Sequence, residues 1–249
     1  MGDVDRLALL VPSRGRPHNI ARLIEAMNST CRGDTTLVVG VDQDDPMRED
    51  YMGFPCEVVV RDGLQRQLVR WLNLLAIPRA REYLYLGHIG DDNVPRTVGW
   101  DVRVMESLGR HQFCFGDDLD PGRPAGSLSL TVFMRSKVVE KLGYMGPPQL
   151  QHMYVDPVWF AWGQATSIEF LPDVVLEHMH YTIAGKAPHD ESYAQSTALI
   201  PRDCDAYNEY CEDPGGMNAD IHKLGGREFS PEGMAEFNRA LNIPRRWAA

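Results

Sequence analysis

Cysteine is sparse in this 249-residue chain. Its five copies (Cys31, Cys56, Cys114, Cys204 and Cys211) never form a C-x-x-C pair, which argues against a disulfide framework and against a structural zinc site. Long apolar runs are missing too. None approaches the ~20 residues that span a bilayer, and the N-terminus lacks a charged-then-apolar leader. The expectation is therefore a protein that stays in the cytosol where it is made, away from the membrane. Positive charge is in deficit, 25 Lys+Arg against 35 Asp+Glu for a net charge of -10. That balance disfavours a sequence-independent grip on nucleic acid, and no recognition motif compensates for it. The phosphate-loop patterns G-x-x-x-x-G-K-[ST] and G-x-G-x-x-G are absent, as are repeats and low-complexity tracts. What remains is an ordinary globular composition, 43% hydrophobic, long enough for one large α/β domain or a domain with an appended subdomain.

The most informative stretch is Tyr83-Leu84-Tyr85-Leu86-Gly87-His88-Ile89, an apolar run suited to a buried strand, stopping at Gly90 before Asp91-Asp92-Asn93. Pro95 disfavours helix at Val94. Short oxygen-bearing side chains where a central strand leaves an open α/β sheet lie where such sheets bind ligands. Two adjacent carboxylates repel unless a cation joins them, and hard oxygen ligands suit Mg²⁺ or Mn²⁺. A solvated acidic turn accounts for the same residues.

Upstream, Leu7–Val11 reads as a first buried strand. The basic loop Pro12-Ser13-Arg14-Gly15-Arg16-Pro17 follows it, and then a helix with Ile20, Leu23, Ile24 and Met27 on one face. Backbone N–H groups and two Arg forks can meet a phosphate there, although a solvated surface pair is an equal alternative. Residues 37–41 form a second strand running into Asp42-Gln43-Asp44-Asp45, where an acidic residue can accept from a ribose or base edge. Glu57–Val60 is a third strand. A helix with Leu64, Leu68, Trp71, Leu72 and Leu75 is expected to end at Pro78, with Arg66 and Asn73 off its apolar stripe.

Downstream, 100–108 reads as a helix, 113–115 as a strand and 128–134 as a half-buried strand. Asp117, Asp118 and Asp120 lie in a Pro/Gly-rich loop, able to hold an acceptor hydroxyl or simply solvated. Ser136 suits a cap for a short helix ended by Gly143. Asp156 before Pro157 suits an N-cap, and one oxygen of such a carboxylate stays available as a base if its surroundings are partly dry. Val174–His180 alternates so that His178 and His180 share a face. Gly185–Asp190 has the makings of a flap, with Lys186 free to reach a diphosphate. Beyond 201 the pattern gives helices at 203–211 and 230–241, and a basic-aromatic tail Arg245-Arg246-Trp247.

In this order, "VPSRGRP", "VGVDQDD", a helix with Asn73 inward and "YLYLGHIGDDN" resemble nucleotide-sugar glycosyltransferases of the GT-A type. More closely they resemble the small glycosyltransferase-like proteins of actinobacterial bacteriophages, in which "GDDxxPRTxGWD", "H-x-Y-x-D…W" and "EHxH" recur. The resemblance covers residues 7–193. It implies an α/β fold of GT-A type, a Rossmann-like mixed sheet flanked by helices. A catalytic domain over 1–200 would carry a C-terminal helical extension, 201–249, packed on it. It further implies transfer of a sugar from a nucleoside diphosphate sugar, UDP or GDP type, to a hydroxyl acceptor, with inversion. The cofactor is Mn²⁺ or Mg²⁺ on Asp91, Asp92, Asn93 and His178 or His180, His178 being favoured. The donor would be held by Pro12, Ser13, Arg14, Arg16, Asp42, Arg66, Asp91 and Lys186, and Asp156 would take the acceptor proton. A modified phage DNA base or a phage structural protein are acceptors this implies, in a host cytoplasm. Two other readings stay open: a sugar nucleotidyltransferase, and a non-catalytic metal-dependent nucleotide-sugar-binding protein.

Overall fold

A computed structural model describes residues 6–64, 67–128, 130–183, 186–187 and 189–245. Arg66, Gly185 of the expected flap and Arg246-Trp247 of the tail lie outside the described residues.

The first half alternates strand and helix. Strand β1 (Arg6–Ser13) leads into α1 (Pro17–Thr30), followed by β2 (Asp34–Asp42), the short α2 (Arg48–Tyr51) and β3 (Glu57–Arg61). Helix α3 (Leu68–Arg79), β4 (Tyr85–His88) and β5 (Asn93–Pro95) complete it. Leu7 to Val11 are all fully buried, as a parallel strand covered on both faces requires. Pro78 does not end α3, which runs one residue past it. Proline in the last turn costs a single backbone bond, against a face anchored by buried Trp71, Leu72 and Leu75.

In the second half, α4 (Trp100–Leu108) and β6 (Phe113–Asp117) precede β7 (Val132–Arg135) and α5 (Ser136–Leu142). Then come α6 (Val155–Ala165), β8 (Ile168–His178), α7 (Glu191–Ala198), α8 (Ile200–Glu212), α9 (Met217–Leu224) and α10 (Pro231–Ala240). Strand β7 is shorter than the alternation from 128 suggests. Ser136 is the first residue of α5 rather than its cap, because its hydroxyl donates to the Tyr83 carbonyl instead. Gly143 closes that helix at φ +83°.

The sheet runs β3-β2-β1-β4-β7-β6-β8-β5. The block from β3 to β4 is parallel, and β7 enters antiparallel between β4 and β6. Edge strand β5, where Pro95 is tolerated, pairs antiparallel with β8 and sets Asn93 opposite His178. The sheet's two faces are packed by two apolar clusters. Leu7, Leu9 and Val11 point into one, and Ala8 and Leu10 into the other. Tyr207, Tyr210, Met217 and Ile221 of the last helices belong to the same cluster as Ala8, Leu10 and Trp71. Residues 201–245 thus share one core with the first 200. Among the described residues no helix is long and apolar enough to cross a membrane.

Candidate active site

A cavity of about 520 Å³ opens where β1, β2 and β4 deliver their C-terminal ends. Its walls take Pro12 and Ser13 from the end of β1, Arg14 and Arg16 from the loop after it, Asp42 from the end of β2, Asp91 and Asp92 from the turn after β4, and Asn93 from the start of β5. Sheet order explains the convergence. Strands β2, β1 and β4 are neighbours, so chain segments up to 80 residues apart meet at one edge.

The basic loop is fixed from outside. Gly15, at φ +66°, donates its N–H to Asp45 Oδ2 at 2.8 Å, and the Arg16 N–H donates to Tyr51 Oη at 2.8 Å. Its two guanidinium groups then diverge. Arg14 pairs with Asp42 at 3.2 Å and Asp44 at 2.6 Å, while Trp71 Nε1 donates to the other Asp42 oxygen at 2.8 Å. Arg16, only 8% exposed, donates to Asp91 Oδ1 at 3.1 Å and grips Asp190 in a bidentate fork at 2.7 and 2.6 Å. Its guanidinium also lies 4.1 Å from the Tyr193 ring centroid.

The two adjacent acids part company. Asp91 accepts from Ser13 Oγ at 2.6 Å and from Arg16, yet burial, with Asp92 beside it, pushes its pKa up to about 6. Burial works the same way on Asp92 but is overcome. His178 Nε2 lies 3.4 Å from Oδ1 and Tyr193 Oη donates to Oδ2 at 2.7 Å, holding that carboxylate well below its ordinary range. Asn93 is occupied elsewhere, its amide oxygen accepting from the Gly90 N–H and its nitrogen donating to the Leu176 carbonyl. The strand register therefore delivers His178 to Asp92, while Asn93 closes the turn. His180 lies past the end of β8. Its ring centroid is 4.9 Å from that of His178, and its Nδ1 bonds the Thr182 hydroxyl. Among the described residues no group of three or more His, Cys, Asp or Glu side chains is arranged to hold an ion. The pair Asp92–His178 still fits one. Two ligands each about 2.1 Å from a cation lie within about 4.2 Å of each other, and Mg²⁺-like ions commonly take one or two protein ligands and complete their shell with phosphate and water.

Asp156 lines the same cavity, but not as a cap. Helix α6 begins on Val155, with Tyr154 at φ +64° in the capping position two residues before Asp156, which puts Asp156 in the first turn. A non-glycine residue in that conformation is strained, and Tyr154 is retained there by stacking on Tyr207, centroids 5.7 Å apart. The Asp156 carboxyl is recessed, reachable through the cavity but surrounded by protein, and this desolvation raises its pKa to about 6.

Lys186 is held by Glu177 at 3.0 Å and by the His178 carbonyl, and does not line the cavity. Several cavity residues carry no motif signal. Tyr193 lines the cavity from α7, and behind it Asp190 is the N-cap of that helix, accepting from the Tyr193 N–H; an Asp just ahead of a polar helix is the sequence trace of that cap. His88 hides within the strand. Its Nδ1 bonds the Leu10 carbonyl and burial drives its pKa down to about 4, so a neutral imidazole sits in the cavity wall. Asp203, fully buried on α8, accepts the N–H groups of Gln151, His152 and Met153 and so anchors the loop that leads to Asp156.

No family model matches the chain, and no curated protein does. Solved structures do. A mannosyltransferase from Pyrobaculum calidifontis, in complex with GDP-Man and Mn²⁺, superposes over 95% of this chain and 74% of its own, with TM-score 0.59 and 12% identity. TarS from S. aureus with UDP-GlcNAc covers 96% of this chain and 82% of its own at TM-score 0.53 and 11% identity. Glucosyl-3-phosphoglycerate synthase from Mycobacterium tuberculosis, with Mn²⁺, UDP and phosphoglyceric acid, covers 81% and 78% at TM-score 0.55 and 13% identity. The eight-stranded mixed sheet flanked by helices is the GT-A fold.

Proposed function

We propose that this chain is a metal-dependent glycosyltransferase that moves a sugar from a nucleoside diphosphate sugar to a hydroxyl acceptor with inversion. The observation that carries the reading is the Asp92–His178 pair, 3.4 Å apart in a cavity that also holds Arg16 and Asp156. The ligands bound by the solved structures of like fold, GDP-Man and UDP-Glc with Mn²⁺ and UDP-GlcNAc, support the donor class.

Electrostatics support a cation as well. Asp42, Asp91, Asp92 and Asp156 line the cavity against Arg14 and Arg16, and both guanidinium groups are already engaged by carboxylates, a field that disfavours a diphosphate unless positive charge is added. Asp92 and His178 would hold Mn²⁺ or Mg²⁺, which supplies Lewis-acid neutralisation of the charge on a leaving diphosphate. Arg16 would turn its fork from Asp190 to a phosphate, a like-for-like exchange of anions. Asp42 and Arg14 would meet the nucleoside at the end of β2. Asp156, as carboxylate, would accept the acceptor's hydroxyl proton while that oxygen bonds the anomeric carbon and the diphosphate leaves with the electron pair of the broken C–O bond. Tyr193, stacked on Arg16, helps to exclude water from the site.

A thermal-shift series with UDP and GDP sugars, with and without Mn²⁺, tests this. One nucleoside diphosphate sugar should raise the melting temperature only when the metal is present, and be hydrolysed slowly without an acceptor. If no nucleotide sugar shifts the melt at any metal concentration, the reading fails.

A further inference from the structure

Beside the main cavity lies a second, smaller one of about 250 Å³ that the donor chemistry above does not use. Its wall is aromatic on one side. Phe115 of β6 and Phe170 of β8 lie with ring centroids 5.2 Å apart and 34° between their planes. Its other side is polar. Arg123 donates to Asp118 Oδ2 at 2.6 Å and to Asp120 Oδ2 at 3.0 Å, and Asp117 completes the group.

This pocket adjoins Asp156. Phe160 follows Asp156 by four residues on α6, hence on the same helix face and about 6 Å along the axis. The Phe160 ring meets Phe115 edge-on at 6.0 Å. From the other side, the Asp118 carbonyl accepts the His178 N–H at 2.9 Å, and Arg123 and Asp118 are close enough for their charges to act on Asp156. The small pocket thus packs, through Phe115 on Phe160, against the face of α6 that carries Asp156 one turn away.

Resting on the transferase reading above, we infer that this pocket is the acceptor subsite and takes one neutral saccharide unit. Ligand pockets usually run from about 300 Å³ upward, so 250 Å³ suits a single ring rather than a whole ligand. A sugar ring offers an apolar C–H face to Phe115 and Phe170 and hydroxyls to its rim, where Asp117, Asp118 and Asp120 keep lone pairs beyond the backbone N–H and Arg123 bonds they already accept. Charge selects against other acceptors. Three carboxylates oppose one guanidinium, which Asp118 and Asp120 already engage. A phosphate or carboxylate ligand would meet like charge there, as would the backbone of DNA. The inferred acceptor therefore differs from phosphoglyceric acid, which accompanies Mn²⁺ and UDP in one structure of like fold.

Saturation-transfer NMR on the full chain tests this with a panel of methyl hexosides, set against glucose 6-phosphate, 3-phosphoglycerate and a short DNA duplex. At least one methyl hexoside should bind, ten-fold or more tighter than any charged probe, and should speed donor consumption above hydrolysis. Phe170→Leu should weaken that binding about ten-fold. Asp120→Asn, at a partly exposed side chain, supplies the same reading if the Phe170 variant does not fold. Preference for a phosphorylated probe or for DNA overturns the inference, and so does hexoside binding that neither substitution changes. Hexoside binding without any nucleotide-sugar binding would sink the transferase reading and leave the saccharide pocket standing. Donor turnover that no hexoside accelerates would do the reverse.

Discussion

The Tyr193 hydroxyl donates to Asp92 Oδ2 at 2.7 Å, across 101 residues of sequence. The same ring stacks under Arg16, so one side chain of α7 touches both Asp92 and Arg16. Tyr193→Phe keeps the stacking and deletes the hydrogen bond. Outer partners of metal ligands are commonly worth 10- to 100-fold in metal affinity. The expected outcome is about a ten-fold rise in the Mn²⁺ concentration needed for half-maximal donor hydrolysis, with the melting temperature little changed. An unchanged metal requirement would remove Tyr193 from the site.

Asp156 should set the acid limb of the pH profile. If Asp156 accepts the acceptor proton as a carboxylate, kcat/KM for transfer should rise with pH through about 6, the value to which burial lifts it. Asp156→Asn should lower transfer by about 10²- to 10⁴-fold while leaving donor binding intact. Stability should move the other way. Between the unfolded value near 3.8 and the folded value near 6, the native chain binds more protons than the unfolded one, so this group's contribution is full at low pH and lost as pH rises. Asp156→Asn should therefore be more stable than wild type at pH 7.5, by an amount on the order of 2 kcal/mol, and not at pH 4. Paired melts at the two pH values isolate it from Asp91, which shifts the same way in both proteins.

Asp203 ties the last helices to the loop that leads to Asp156. It is fully buried and receives three successive backbone N–H groups from residues 151–153, three residues before Asp156. Asp203→Ala leaves those donors without their acceptor, at a cost of about 3 kcal/mol, and should lower kcat more than it alters the donor KM. A chain cut after Ile200 should not fold cooperatively, since it loses Tyr207, Tyr210, Met217 and Ile221 from the cluster that also holds Leu10 and Trp71. Urea denaturation followed by Trp fluorescence checks both.

How much of this could be read from the residues follows from the range of the forces involved. Strands β1, β2 and β4 announce themselves as local apolar runs, and α4 falls on 100–108 as its spacing indicates, because burial on a regular element imposes a local period. The α6 start is displaced: Asp156-Pro157 reads as a cap, but the capping position falls two residues sooner, on Tyr154, whose ring packs on Tyr207. Asp91, Asp92 and His178 were legible as chemistry, and the β5–β8 register supplies what no local pattern could, the placement of His178 beside Asp92. Tyr193, Asp190 and Asp203 reach the cavity and its loops through partners 51 to 174 residues away, and the one local trace, the Asp190 cap of α7, gives no sign of those partners.

The two histidines make the sharpest contrast. His178 faces Asp92 at 3.4 Å, whereas the Nδ1 of His180 is turned to Thr182. If the pair Asp92–His178 holds the cation, His178→Ala should raise the Mn²⁺ requirement at least ten-fold, and His180→Ala less than three-fold. A second consequence comes from ligand count. Two protein ligands bind such an ion weakly on their own, so Mn²⁺ without nucleotide should barely move the melt. With a nucleoside diphosphate to complete the shell, a free-ligand concentration 100 times Kd stabilises by about 2.7 kcal/mol, and His178→Ala should abolish that increment. Chelation with EDTA should reverse the stabilisation and stop donor turnover together. Should His180→Ala prove the more damaging substitution, the cation sits on the other side of the imidazole pair and the Asp92–His178 assignment is wrong.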